Sequence, residues 1–211
     1  MRLFLASYRF GHARDRFLEL TGPPGRIAVI ANAADSWPDA ARASAVTSEF
    51  TLLRSAGFLP VEVDLRELMP STAHDVLAAF PAVWVRGGNT FVLRRRMASS
   101  GADEAIARLL AEDAVVYGGY SAGACVLGPT LRGVEYADPP GEVEPTTGED
   151  VLWTGLGIID DVLVPHWASD TLDPDGASAA MAAACDAAGT PYRTLTDDQV
   201  YVVDGGVAAV I

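Results

Sequence analysis

The sequence places a serine between glycines, Gly119-Tyr120-Ser121-Ala122-Gly123. The motif follows the apolar run Ala114-Val115-Val116-Tyr117 and precedes a helix-like stretch, Ala124 to Leu127. In a strand–turn–helix setting, G-x-S-x-G lifts a serine hydroxyl above the carboxyl ends of the strands. Its glycines permit a sharp turn with strained backbone at the serine. Ser121 is therefore the candidate nucleophile. The Ala122 N–H, at the helix start, is a candidate donor to a developing oxyanion. The same residues also fit a tight turn with a serine N-cap.

A second loop, Arg86-Gly87-Gly88-Asn89-Thr90, ends the apolar run Ala82 to Val85. Two glycines there let backbone approach a ligand closely, and the Gly88 N–H supplies the other half of an oxyanion hole. Asn89 and Thr90 are expected to meet substrate, although Asn89 also suits a helix N-cap. A serine hydroxyl needs a base, and the chain offers three histidines, His12, His74 and His166. His166 directly ends the strand-like run Val162 to Val164, on the same edge as Ser121 if the sheet is parallel there. It is the preferred base. A carboxylate should orient its imidazole. Asp197 and Asp198, in a turn between C-terminal strands, are open choices, with Glu135, Asp138, Asp170 and Asp173 also near the motifs. No Cys/His cluster or HExxH spacing suggests a metal, and no phosphate-binding loop is present.

The elements that must position these residues alternate. Strands are expected at 2–6, 26–30, 61–65, 82–85, 114–117 and 162–164, with a terminal hairpin formed by 200–203 and 207–211. Helices are expected at 13–20, from a Ser36 cap to Ser55, and at 72–80, 90–99, 103–112 and 177–188. This order implies an α/β fold with a mostly parallel sheet and helices on both faces. The Pro- and Gly-rich stretch 133–155 breaks the rhythm and reads as a functional or mobile loop. The 211 residues, half of them apolar, suit one domain spanning 1–211. A net charge of −13 argues against nucleic-acid binding. Two cysteines do not make a disulfide framework. With no signal-like or membrane-length apolar run, a soluble, cytoplasmic protein is expected.

Three motifs in order carry a family resemblance: Gly87-Gly88-Asn89-Thr90-Phe91; Gly119 to Ala124 with Gly128-Pro129-Thr130; and Gly155-Leu156-Gly157 running to Pro165-His166. Together they resemble peptidase family S51, which includes peptidase E (aspartyl dipeptidase) and cyanophycinase. The resemblance implies a fold like that of class I glutamine amidotransferases. It implies Ser121 as nucleophile, His166 as base, and Gly88 and Ala122 as oxyanion donors. The acidic member falls near Asp197 or Asp198, and some members carry another acid near the position flanked by Glu135 and Asp138. It implies a cofactor-free serine peptidase acting on dipeptides or short peptides, as a monomer or homodimer. A cyanophycinase-like or esterase-type hydrolase and a catalytically idle binding protein are the alternatives. Aspartyl dipeptidases carry arginine after the histidine to pair with an N-terminal Asp. Here Trp167 to Asp175 has Asp170, Asp173 and Asp175 and no Lys or Arg. That charge disfavours an acidic substrate side chain unless Arg86 or Arg132 compensates, and one of these carboxylates is expected to bind the substrate's α-amino group.

Overall fold

Apolar runs of four or five residues become strands buried on both faces, as expected where helices cover a parallel sheet. In the computed structural model, which describes residues 1–211, the strands are β1 (Arg2–Ala6), β2 (Arg26–Ile30), β3 (Leu59–Glu62), β4 (Ala82–Val85), β5 (Val116–Tyr120), β6 (Val162–Val164), β7 (Tyr192–Thr194), β8 (Val200–Asp204) and β9 (Val207–Val210). Seven form one sheet in the order β3-β2-β4-β5-β1-β8-β9. The first five in that order are parallel, and β8 and β9 close the far side antiparallel. The helices are α1 (Arg14–Thr21), α2 (Asp39–Ser55), α3 (Pro70–Ala78), α4 (Thr90–Ser100), α5 (Ala102–Ala111), α6 (Ala122–Cys125), α7 (Val143–Thr147) and α8 (Ala177–Ala188).

Alternation along the strands divides the core in two. Leu3, Leu5, Val83, Val85 and Tyr117 pack against Leu77 of α3, Leu93 of α4 and Ile106 of α5. Phe4, Ala6, Trp84, Val116 and Tyr120 pack against Phe17 of α1 and Leu53 of α2. Helices α1 and α2 thus cover one face, and α3, α4 and α5 the other.

The structure departs from the sequence reading in several places. The strand expected at 114–117 runs instead from Val116 to Tyr120, through Gly118 and Gly119. Gly118 lies beside Phe4 and Trp84 in the sheet. A Cβ there would come within 2.7 Å of the rings of Phe17 and Trp84, so this strand position has no room for a side chain. The third strand begins at Leu59, two residues early, and lies at the sheet edge where Pro60 is tolerated. Ser36 does not cap α2; Pro38 stands at that position and the Ser36 hydroxyl donates to Glu142. The segment 133–155 is built rather than open, with single 3-10 turns at Val134–Tyr136 and Pro140–Glu142 leading into α7. Strand β6 does not join the main sheet. It pairs in parallel with β7, which the sequence reading missed, as a separate two-stranded sheet. No helix is long and apolar enough to cross a membrane.

Candidate active site

Parallel register brings three strand ends together. Val85 of β4 and Leu5 of β1 both align with Gly119, and Ala6 aligns with Tyr120. Ser7, Arg86 and Ser121 therefore leave the sheet side by side at its carboxyl edge, where open α/β sheets bind ligands. Ser121 has φ 50° and ψ −118°, a conformation that costs a non-glycine residue about 1–3 kcal/mol. The neighbouring structure holds it there. Its N–H donates to the Ala6 carbonyl at 3.2 Å, and the Tyr117 hydroxyl donates to the Gly123 carbonyl at 2.7 Å. The strain sits on the serine itself. Gly119 is needed because a Cβ there would lie 2.7 Å from the Gly123 carbonyl oxygen, and Gly123 because one there would collide with the Val85 carbonyl.

The serine hydroxyl lies 3.2 Å from His166 Nε2. On the other side of the ring, Nδ1 lies 2.7 Å from Asp197 Oδ1. An ionised Asp197 takes the Nδ1 proton as its hydrogen-bond donor, so Nε2 presents its lone pair to Ser121. Partial burial pushes the Asp197 carboxyl up, but hydrogen bonds from Ser169, His166 and Ser7 outweigh this and hold it below the ordinary carboxylate value. Ser169 donates at 2.5 Å and Ser7 at 3.1 Å. Ser7 is fully buried and also accepts the His166 backbone N–H at 2.7 Å. One side chain thus braces both the histidine and its acid. His166 itself sits at φ 59°.

The backbone N–H groups of Gly88 and Ala122 donate to no backbone acceptor, and both residues line the cleft in front of Ser121. Gly88 has φ 147°, and a Cβ would collide with the Ala33 carbonyl, so this loop position requires glycine. The cleft encloses about 490 Å³. One wall carries Tyr8, Arg9, Trp37 and Arg86; the other carries Tyr136, Asp138, Asp173 and Asp175.

The model of peptidase family S51 matches residues 3–211, nearly the whole chain. The chain belongs to peptidase family S51. Among its relatives, an uncharacterized peptidase of Listeria innocua is 30% identical over 115 residues, which span 54% of this chain and 53% of that one. The match therefore covers about half of each. An uncharacterized peptidase of Pasteurella multocida is 27% identical over 166 residues, 79% of this chain and 77% of that one. The fold is also that of a solved candidate peptidase E from Listeria monocytogenes, at TM-score 0.80 and 20% identity over 100% of this chain and 97% of that one. A solved peptidase from an acI-B1 actinobacterium aligns at TM-score 0.68 and 15% identity, over 100% and 86% of the two chains.

In this S51 chain the other residues expected at the site are distributed unevenly. Asp198 is exposed and pairs with His12 at 3.2 Å rather than with His166. Glu135 turns back to accept the Gly133 N–H at 2.6 Å and does not line the cleft. Asn89 is a helix cap: it accepts from Phe91 and Val92 and donates to Pro139 and Glu142, which uses all its polar capacity away from the cleft. Thr90 does line the cleft, with its N–H and hydroxyl both given to Asp138 Oδ2. Asp170 opens into a separate shallow depression and does not reach the main cleft. Asp173 reaches the cleft but caps α8 through Ala177 and Ser178. Arg132 stacks on Trp153, outside the cleft. Cys125 is buried at the elbow helix, and burial pushes its thiol well up, which keeps it protonated and inert.

The sequence alone does not single out Ser7, Ser169 or Arg9 as members of the site, and it offers Asp138 only among several acids near the motifs. Ser7 had one signal, a serine directly after a buried strand. Asp138, with Glu135, flanks the position where the family resemblance implies a further acid. Packing against the start of α4 desolvates its carboxyl and raises it to about 6, against the hydrogen bonds from Thr90.

Proposed function

We propose that this S51 peptidase is a serine peptidase that hydrolyses dipeptides or other short peptides next to the N-terminus. The observation that carries the reading is the unbroken run of hydrogen bonds Ser121–His166–Asp197 on a strained serine. Ser121 Oγ attacks the scissile carbonyl carbon while His166 Nε2 takes the hydroxyl proton. The oxyanion is held by the Gly88 and Ala122 N–H groups. The C–N bond breaks as Nε2 returns the proton to the leaving amine. Water, deprotonated by the same nitrogen, then releases the acid from the acyl-serine. Asp197 keeps the imidazole in the productive tautomer and stabilises its cation.

Size and charge support a short substrate. A cleft of about 490 Å³ is at the scale of small-molecule sites rather than of an extended polypeptide groove. Asp138 Oδ1 accepts no hydrogen bond within the chain, and Asp175 also lines the cleft. Both suit a substrate's α-ammonium group. The test is labelling with a fluorophosphonate together with hydrolysis of Ala-Ala and its N-acetyl derivative. The wild type should label and should cleave only the free amine, and Ser121→Ala should do neither. Labelling retained in Ser121→Ala would end the nucleophile assignment.

A further inference from the structure

The cleft holds two arginines that the serine chemistry does not use. Arg86 follows β4 and sits beside the serine turn: a Cβ on its neighbour Gly87 would lie 2.9 Å from Ser121 Cβ. Its guanidinium stacks on Trp37, 4.9 Å from the ring centroid. Its Nε and Nη1 are buried with no hydrogen-bond acceptor. Its Nε forms an ion pair with buried Glu49 at 3.6 Å, too long for a hydrogen bond. Glu49 is instead committed to Trp84 Nε1 at 2.9 Å and the Tyr120 hydroxyl at 2.7 Å. Arg9, in the turn that follows β1, also lines the cleft. It stacks on Tyr8, donates Nη2 to Ser48, and leaves Nε buried without an acceptor.

Both arginines line the cleft, and one terminal nitrogen of each, Arg86 Nη2 and Arg9 Nη1, is not buried and donates to nothing in the chain. Such groups suit a planar anion, and a carboxylate matches the guanidinium fork. Their position says which carboxylate. Glu49 and Ser48 belong to α2, so both arginines are anchored on the sheet face that α1 and α2 cover. Asp138 is anchored on Thr90, the first residue of α4, on the opposite face. The serine turn lies at the sheet edge between them. A dipeptide with its ammonium group on the acidic wall carries its leaving residue towards the basic one. That residue's constant charged group is its C-terminal carboxylate. We infer that Arg9 and Arg86 form a subsite for the C-terminal carboxylate of a dipeptide, so that the cleft measures substrate length by binding both ends. This inference rests on the peptidase reading for the polarity of the substrate, while the subsite itself is tested by binding alone.

The experiment is calorimetric titration of Ser121→Ala protein with Ala-Ala, Ala-Ala amide and Asp-Ala amide, repeated with Arg86→Gln or Arg9→Gln added. Ala-Ala should bind roughly 10- to 150-fold more tightly than its amide, the span of hydrogen bonds to charged groups. That ratio should fall towards one in either arginine variant. Equal binding of acid and amide in the parent overturns the inference, as does failure of Ala-Ala to bind. So does a ratio that survives in both variants; Arg9→Gln keeps this arm usable if loss of Arg86 beside buried Glu49 unfolds the protein. Tighter binding of Asp-Ala amide than of Ala-Ala amide, lost with Arg86, would give the arginines to an N-terminal acidic side chain and overturn the assignment to the leaving residue. Absence of fluorophosphonate labelling in the wild type refutes the serine mechanism alone, because none of these titrations needs turnover.

Discussion

Replacement of Asp197 by Asn tests the arrangement around His166 most directly. Asp197 accepts three hydrogen bonds, from His166 Nδ1, Ser7 and Ser169, and donates none. An asparagine keeps one acceptor oxygen and replaces the other with an NH₂ group. His166 Nδ1 and Ser7 share Oδ1 while Ser169 bonds Oδ2, so if the amide oxygen stays with Ser169 the NH₂ meets Nδ1 and forces the imidazole proton to Nε2. That proton then points at the Ser121 oxygen, and the base has lost its lone pair. A triad Asp→Asn of this kind lowers kcat by about 10⁴, which is about 5.4 kcal/mol at about 1.36 kcal/mol per decade. The cost to the fold is smaller, about 1–3 kcal/mol for a buried donor left imperfectly paired, and most of the protein remains folded. The assay is kcat/KM on a short peptide, with thermal unfolding alongside for Asp197→Asn and Asp198→Asn. Asp198, exposed and paired with His12, should tolerate the change within a factor of a few. Activity within tenfold of wild type in Asp197→Asn, or equal collapse in both variants, would refute the tautomer argument.

Three further outcomes are expected. Ser7→Ala leaves the His166 N–H without its acceptor and removes a donor to Asp197, so stability should fall by about 1–3 kcal/mol and kcat should fall with little change in KM; unchanged kcat would reduce Ser7 to a packing residue. Gly88→Ala forces a Cβ against the Ala33 carbonyl at φ 147°, so fluorophosphonate labelling should slow by at least about 10²-fold, the scale of losing one oxyanion donor, and labelling at the wild-type rate would remove Gly88 from the oxyanion hole. Asp138 gives a pH signature. Its folded value of about 6 lies above the ordinary 3.8, so between these the native state holds a proton that the unfolded chain has lost. Its contribution favours folding at low pH and is lost as pH rises through about 6, by up to about 3 kcal/mol, and nearer 1 where cleft water reaches the carboxyl. Asp138→Asn should therefore gain stability relative to wild type in urea unfolding at pH 8 compared with pH 4, and parallel profiles at the two pH values would contradict the burial argument.

Features decided by neighbours along the chain were legible in the sequence. The alternation of apolar runs and helical spacing implied the doubly covered parallel sheet. The glycines around Ser121 and the apolar run before it implied a tight strand–turn–helix, because the constraint is steric and local. His166 was readable for the same reason, as the residue that ends a buried strand. What the tertiary structure decided depends on contacts between distant segments. Asp197 and Asp198 are chemically equivalent in the sequence, and only the course of the turn before β8 aims one at His166 and the other at His12. Ser7 contacts Asp197 across 190 residues, a meeting created by the pairing of β1 with β8. Placement of β6 in its own small sheet with β7 likewise depends on where residues 192–194 return. The basic wall of the cleft is another such outcome. Arg86 is one of 15 Lys and Arg residues in the sequence, and only the packing of α2 against the sheet encloses its guanidinium beside the serine without supplying a hydrogen-bond acceptor.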